Sequence, residues 1–233
     1  MSANQSNYQF ILWDNDGVLV DTEQWYFAAT REALAELGVD LPMDIYQQIM
    51  IQGRSSWELA LQAGVHPDRV QHGQERRDAL YQAHLRTENL RIEGVLEVLA
   101  ELAQHYQMAI VTTCKRRDFE LIHRNPDLLQ FMQFVLVRED YVESKPHPEP
   151  YLTALHKFSA TPQQALVIED SERGLRAARA AGIDCEVIFL ALDQPKDTRK
   201  LLSLEITGAW INECNHQYLN KMVPRAGLEP ARS

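Results

Sequence analysis

The sequence predicts an α/β fold, a doubly wound parallel sheet carrying an inserted α-helical segment, and three observations predict it. Five short apolar runs recur along the 233 residues. Each is too short for a helix and is continuously apolar, as strands buried on both faces are. Helical periodicity separates the runs, and alternation of strand with helix is the pattern of a parallel sheet covered on both sides. One stretch of nearly seventy residues has helical pattern alone, which marks it as an insertion.

The first run is YQFILW from Tyr8. The insertion follows, from about Asp21 to Asn89. Asp21 with Gln24 makes a capping-box-like start, and Tyr26, Ala29, Ala33, Leu34 and Leu37 form an apolar stripe that stops at Gly38. Further helices are expected near Met43 to Met50, Ser55 to Ala63 and Asp68 to Arg86. Val95, Leu96, Leu99 and Leu102 then recur at helical spacing before the second run, MAIVTT from Met108. QFVLV from Gln133 and ALVI from Ala165 are the third and fourth. Leu175, Ala178 and Ala181 mark a helix that ends at Gly182, and CEVIFL from Cys185 is the fifth run. The expected division is a core of residues 1–20 and 90–220, a helical cap over 21–89, and a tail over 221–233. The tail, KMVPRAGLEPARS, has two prolines and no periodicity and is expected to be disordered.

The apolar fraction of 45% allows a sizeable core. With 23 Lys and Arg against 33 Asp and Glu the net charge is −10, and the acids are spread along the chain, so a basic footprint for nucleic acid is missing. Cys114, Cys185 and Cys214 lack metal-ligand spacing and read as reduced thiols of a cytoplasmic protein. The start, MSANQSNYQF, has neither the basic nor the apolar region of a signal peptide, and no apolar run approaches the ~18 residues of a membrane span. A cytoplasmic monomer with no nucleic-acid or membrane partner is the expectation.

In an open parallel sheet the ligand crevice lies outside the carboxyl ends of the strands. The residues found there are informative: Asp14 and Asp16 after the first run, Thr112 and Thr113 at the end of the second, Glu169 and Asp170 after the fourth. Lys145 precedes a proline in SKPHPEPY. Two carboxylates about 4 Å apart repel by roughly 4 kcal/mol at an effective dielectric near 20, so four cannot share a pocket unaided. Lys145 offsets one charge. An all-oxygen set without His or Cys favours magnesium over zinc, and a site of magnesium, lysine and hydroxyl suits a phosphate. Strand alternation lets Asp14 and Asp16 face the pocket together while Asn15 points elsewhere. Asp14 can then attack phosphorus, while Asp16 protonates the leaving oxygen and later activates water. Any one of these acids alone reads as a turn or cap residue; their joint order and spacing carry the chemistry.

DNDGVLVDTE, IVTTCKR, SKPHPEPY and VIEDSERGLRAARAAG resemble, in order, the four motifs of the haloacid dehalogenase-like superfamily, in its helical-cap phosphatase and phosphomutase group. The resemblance runs from about Phe10 to Phe189. It implies a Rossmann-like core with an inserted cap and a magnesium-dependent enzyme acting on a small phosphorylated metabolite such as a sugar phosphate or phosphoglycolate. It implies Asp14 as nucleophile, Asp16 as acid/base, Thr112 as phosphate-binding hydroxyl and Lys145 as neutralising lysine. It also implies a metal site of Asp14, Asp170 and the main-chain carbonyl of Asp16, supported by Glu169. IQGRSSWELAL resembles the substrate-facing cap loop, which makes Gly53 and Arg54 candidate substrate contacts.

Three departures stand out. Asn15 is polar where the position is often apolar and needs a buried partner. Glu93 stands before Gly94 where relatives commonly have proline. The run Thr113-Cys114-Lys115-Arg116-Arg117 is unusually basic and suits a second anionic group on the substrate, with Thr113 and Lys115 as candidate contacts. A sugar phosphomutase of the beta-phosphoglucomutase type shares every core residue, but such mutases carry a His where this chain has Tyr26, which favours hydrolysis. A non-catalytic phosphate- or metabolite-binding regulator on the same fold is the alternative from another class, and it would normally have lost one of the six core residues.

Overall fold

The computed structural model describes residues 8–187. The fifth run beyond Val187, the end of the expected core, Cys214 and the expected tail lie outside the described residues. Five strands, β1 Phe10–Trp13, β2 Gln107–Val111, β3 Met132–Leu136, β4 Ala165–Glu169 and β5 Asp184–Val187, form one parallel sheet in the order β3-β2-β1-β4-β5. Chain order reverses at β1, where a doubly wound sheet opens its crevice. The first run is trimmed to four residues and the second stops at Val111, so Thr112 and Thr113 lie just beyond their strand.

Side-chain alternation divides the strands between two cores. Phe10, Leu12, Ala109, Val111, Ala165 and Val167 pack on Tyr151 and Leu155 of α7 (Glu149–Phe158) and on Leu175 and Ala178 of α8 (Glu172–Ala180). The other face, Ile11, Trp13, Met108, Ile110, Leu166 and Ile168, packs on Val95, Val98 and Leu99 of α5 (Val95–Leu102) and on Phe119 of α6 (Arg116–Ile122). Helix α7 starts one residue after Pro148, inside the proline-rich stretch SKPHPEPY. Proline is tolerated there because the first turn of a helix has no acceptor for its missing N–H.

The insertion is four helices: α1 Glu23–Ala35, α2 Met43–Ile51, α3 Trp57–Gln62 and α4 Pro67–Thr87. Phe27, Leu34, Leu41, Tyr46, Trp57 and Val70 form its own core. The expected helix start at Asp21 moves two residues on. Thr22 is the N-cap of α1 and makes no side-chain cap bond; its hydroxyl donates to Asp16 Oδ1 at 2.6 Å. The chain leaves and re-enters the sheet side by side: the Asp21 N–H donates to the Leu90 carbonyl at 2.8 Å, and Val20 bridges Arg91 antiparallel. Val20, Ala29, Tyr81, Leu85, Leu90 and Ile122 pack at this junction. Gly94, φ 81°, caps α5 just beyond it. No described helix is long and apolar enough to cross a membrane.

Candidate active site

Parallel register brings the acids together. Trp13 pairs with Ile168 and the Asp14 N–H donates to the Ile168 carbonyl at 2.9 Å, so Asp14 and Glu169, next along their chains, stand side by side at the mouth of the sheet. Lys145, 3% exposed, reaches them from the loop after β3. Its Nζ donates to Asp14 Oδ1, to Glu169 Oε1 and to the Val111 carbonyl, each at 2.7 Å. An ammonium has three donors, and all three are used.

Glu169 is wholly engaged by protein donors. Oε1 also accepts from the Tyr151 hydroxyl at 2.9 Å, and Oε2 accepts from the Asp170 N–H, the Ser171 N–H and the Ser171 hydroxyl. Ser171 in turn caps α8, accepting from the Gly174 N–H. Asp170 accepts no side-chain hydrogen bond from the described residues, and its carboxylate lies over Gly17, φ 81°, where an added Cβ would overlap it. A Cβ on Gly174 would likewise overlap the Glu169 carboxylate. The two glycines are small because the acids occupy the space.

Oxygens of Asp14, Glu169 and Asp170 lie within 4.8 Å of one another. Asp16, expected from strand alternation to face the pocket with Asp14 and to offer the metal its main-chain carbonyl, keeps its carboxylate outside this set. Its Oδ1 accepts from Thr22, and its Oδ2 accepts from Thr112 Oγ1 and Asn15 Nδ2, each at 3.3 Å. The reason is that β1 ends at Trp13, so strand alternation no longer governs Asp14 to Asp16. The Asn15 side chain makes no hydrogen bond to Asp14, Glu169 or Asp170. It is fully buried and its Oδ1 meets His123 Nε2 at 2.8 Å, the partner its polarity requires.

Burial, reinforced by Glu169 and opposed by Lys145, pushes the Asp14 carboxyl up to about 7. Burial first, then Asp14 and Glu169, holds Asp170 well above the usual carboxylate range. For Glu169 burial acts upward, but the charge and hydrogen bond of Lys145 prevail and keep it below its ordinary value. Burial alone would lower Lys145; Asp14 and Glu169 outweigh it and hold the ammonium charged. One lysine thus faces a surplus of carboxylate oxygen, and that donor set fits a hard divalent cation.

Of the two threonines, Thr112 is buried, with its Oγ1 accepting from the Cys114 N–H at 3.0 Å, and Thr113 is exposed. Lys115 is exposed and its Nζ donates to Asp78 of α4 at 2.6 Å. Gly53, φ 66°, faces the Arg173 side chain, whose Nη2 donates to the Lys145 carbonyl at 2.7 Å. Arg54 pairs with Glu58 one turn along. Sequence reasoning missed Tyr151, Ser171, Arg173, Gly174, Asp78 and His123. Ser171 and Gly174 carry a signal, a cap residue three before a glycine; His123 carries none.

A reversed sheet with a lysine-bridged carboxylate crevice defines a class, the doubly wound α/β proteins that act at their strand ends. Within it, residues 11–188 match the haloacid dehalogenase-like hydrolase family, and the chain belongs to that family. It is 28% identical over 197 residues to a phosphorylated carbohydrates phosphatase of Thermotoga maritima, covering 82% of this chain and 89% of that protein. It is 27% identical over 183 residues to a fructose-1-phosphate phosphatase of Escherichia coli, covering 76% of this chain and 94% of the relative. The crystal structure of a candidate phosphoglycolate phosphatase from Lactobacillus plantarum superposes with TM-score 0.69 at 25% identity, over 84% of this chain and 99% of that one.

Proposed function

We propose that the chain is a magnesium-dependent phosphatase that hydrolyses a small phosphorylated metabolite, a sugar phosphate or phosphoglycolate-like ester, through an aspartyl phosphate at Asp14. The observation that carries this reading is the Lys145 ammonium bridging Asp14 and Glu169 at 2.7 Å each beside Asp170. The relatives' names point the same way: one acts on phosphorylated carbohydrates and another on fructose 1-phosphate.

In this reading Asp14 Oδ2, the oxygen not bound by Lys145, attacks phosphorus. Lys145 opposes the rise that burial imposes on the Asp14 carboxyl, and the remaining proton would be displaced on cation binding. Asp16, half-buried and approached by three donors, protonates the leaving oxygen and then takes a proton from the attacking water. Thr112 and the backbone N–H groups between Asn15 and Gly17 receive phosphoryl oxygens. Asp14 and Asp170, with the carbonyl of Asp16, would hold the cation, and Glu169 supports them from behind through Lys145 and the Asp170 N–H. Magnesium, when bound, supplies positive charge to the phosphoryl group. The α1–α4 helices act as the cap that excludes water, with Gly53 and Arg54 of the cap and Thr113 and Lys115 of the sheet domain as substrate contacts. The Tyr26 hydroxyl, at the position where mutases carry His, accepts from Arg77, which favours hydrolysis over a mutase.

The test is phosphate release from p-nitrophenyl phosphate and a panel of phosphorylated metabolites, with and without chelator. Activity that survives chelation, or that survives Asp14→Asn, contradicts the proposal.

A further inference from the structure

Asn15 sits between the two catalytic aspartates of the proposed reaction, and its amide has two orientations of nearly equal shape. In one, Nδ2 faces Asp16; in the other, Oδ1 does. The first gives Asp16 a hydrogen bond, and the second sets a lone pair against a carboxylate. Asn15 is 0% exposed, so water does not choose between them. His123 does when its Nε2 carries the proton: Nε2 lies 2.8 Å from Asn15 Oδ1, and donation by the ring N–H to the amide oxygen turns Nδ2 toward Asp16 Oδ2, 3.3 Å away.

His123 is itself held. It closes α6, its N–H donates to the Phe119 carbonyl at 2.9 Å, and its ring packs on the Phe119 ring at 4.3 Å between centroids. Val18, Leu19 and Val20 N–H groups converge on the Asn15 carbonyl, which pins the backbone on the other side. The chain of contacts runs from helix α6 through His123 and Asn15 to Asp16.

We infer that His123 is a positioning residue for Asp16, acting through the Asn15 amide to orient the carboxylate for proton transfer to the leaving group. The inference rests on the reading of Asp16 as acid/base. A residue that acts only on the acid matters most when the leaving group needs a proton. Phenolate is a poor leaving group and p-nitrophenolate a good one, so comparing the two phosphate esters isolates that role.

The experiment measures kcat/KM with phenyl phosphate and p-nitrophenyl phosphate, in the presence of magnesium, for His123→Phe, His123→Gln, Asn15→Leu and the double variant. His123→Phe is expected to lower kcat/KM about tenfold on phenyl phosphate, the worth of one hydrogen bond, and to leave p-nitrophenyl phosphate within about twofold. His123→Gln, which keeps a donor, restores most of the loss. Asn15→Leu shows the same pattern, and adding His123→Phe to it changes nothing further. Equal losses on both esters, or losses that multiply in the double variant, overturn the inference. If His123→Phe does not fold, His123→Leu, which also lacks a donor, carries the same comparison on the native and Asn15→Leu backgrounds. Asp16→Asn separates the two levels: full phenyl phosphate hydrolysis by that variant overturns the acid/base reading itself, whereas its loss alongside an unaffected His123→Phe overturns only the role of His123.

Discussion

Lys145 and Glu169 form a buried ion pair, Nζ 2.7 Å from Oε1, with side chains 2% and 0% exposed. Removing one partner of such a pair leaves an uncompensated buried charge and costs about 3–5 kcal/mol. Lys145→Met is therefore expected to lower the urea-unfolding free energy by that amount and to abolish turnover. Millimolar magnesium should recover more stability in the variant than in the native chain, because the cation then meets carboxylates that no ammonium neutralises.

Gly174 faces the same glutamate. Gly174→Ala places a methyl where the Glu169 carboxylate lies, so either the acid or helix α8 must move, at roughly 1–3 kcal/mol. Activity is expected to fall at least about a hundredfold, on the scale of losing a preorganised electrostatic contact. Gly38→Ala is the control. Its φ of 81° strains an alanine by roughly 1 kcal/mol, but nothing lies within 4 Å of the added Cβ, so kcat should not change.

The Asp14 carboxyl, raised to about 7 from an ordinary 3.8, makes metal-free stability depend on pH with a definite sign. Between those values the folded state holds more protons than the unfolded one, so this group's contribution is fully present below about pH 4 and is lost as pH rises through about 7. Magnesium binding displaces that proton. The shift in melting temperature produced by magnesium should therefore be larger at pH 8 than at pH 5, and Asp14→Asn should reduce the difference, Asp170 supplying the rest.

Lys115 and Asp78 join the helical insertion to the sheet domain at 2.6 Å, with side chains 56% and 28% exposed. Exposed pairs contribute about 0–1 kcal/mol, so Lys115→Ala should leave the unfolding midpoint nearly unchanged. If Lys115 exchanges Asp78 for a second anionic group, the variant raises KM for bisphosphates and carboxylated phosphates several-fold without altering kcat for p-nitrophenyl phosphate.

What sequence could show follows from what is local. The strands are continuous apolar runs and the acids sit directly after them, so sheet class, element order and the convergence of Asp14, Lys145, Glu169 and Asp170 are all legible. The orientation of Asp16 is not. It depends on β1 ending at Trp13 and on the Thr22 hydroxyl turning back from the start of α1, two choices made by the tertiary environment. The need of Asn15 for a buried partner could be stated from its polarity, but His123, 108 positions away, carries no pattern that names it. Helix α7 was hidden because its prolines also fit an extended loop.

The central claim is that Asp14 carries the phosphoryl group. Acid-quenching the protein during p-nitrophenyl phosphate turnover, reducing with borohydride and mapping the peptides by mass spectrometry tests it directly, since an aspartyl phosphate is reduced to homoserine. Homoserine is expected at position 14 alone, dependent on both substrate and magnesium. Turnover at the full rate with the reduced residue at Asp16 or Asp170, or with no reducible carboxylate at all, would contradict it.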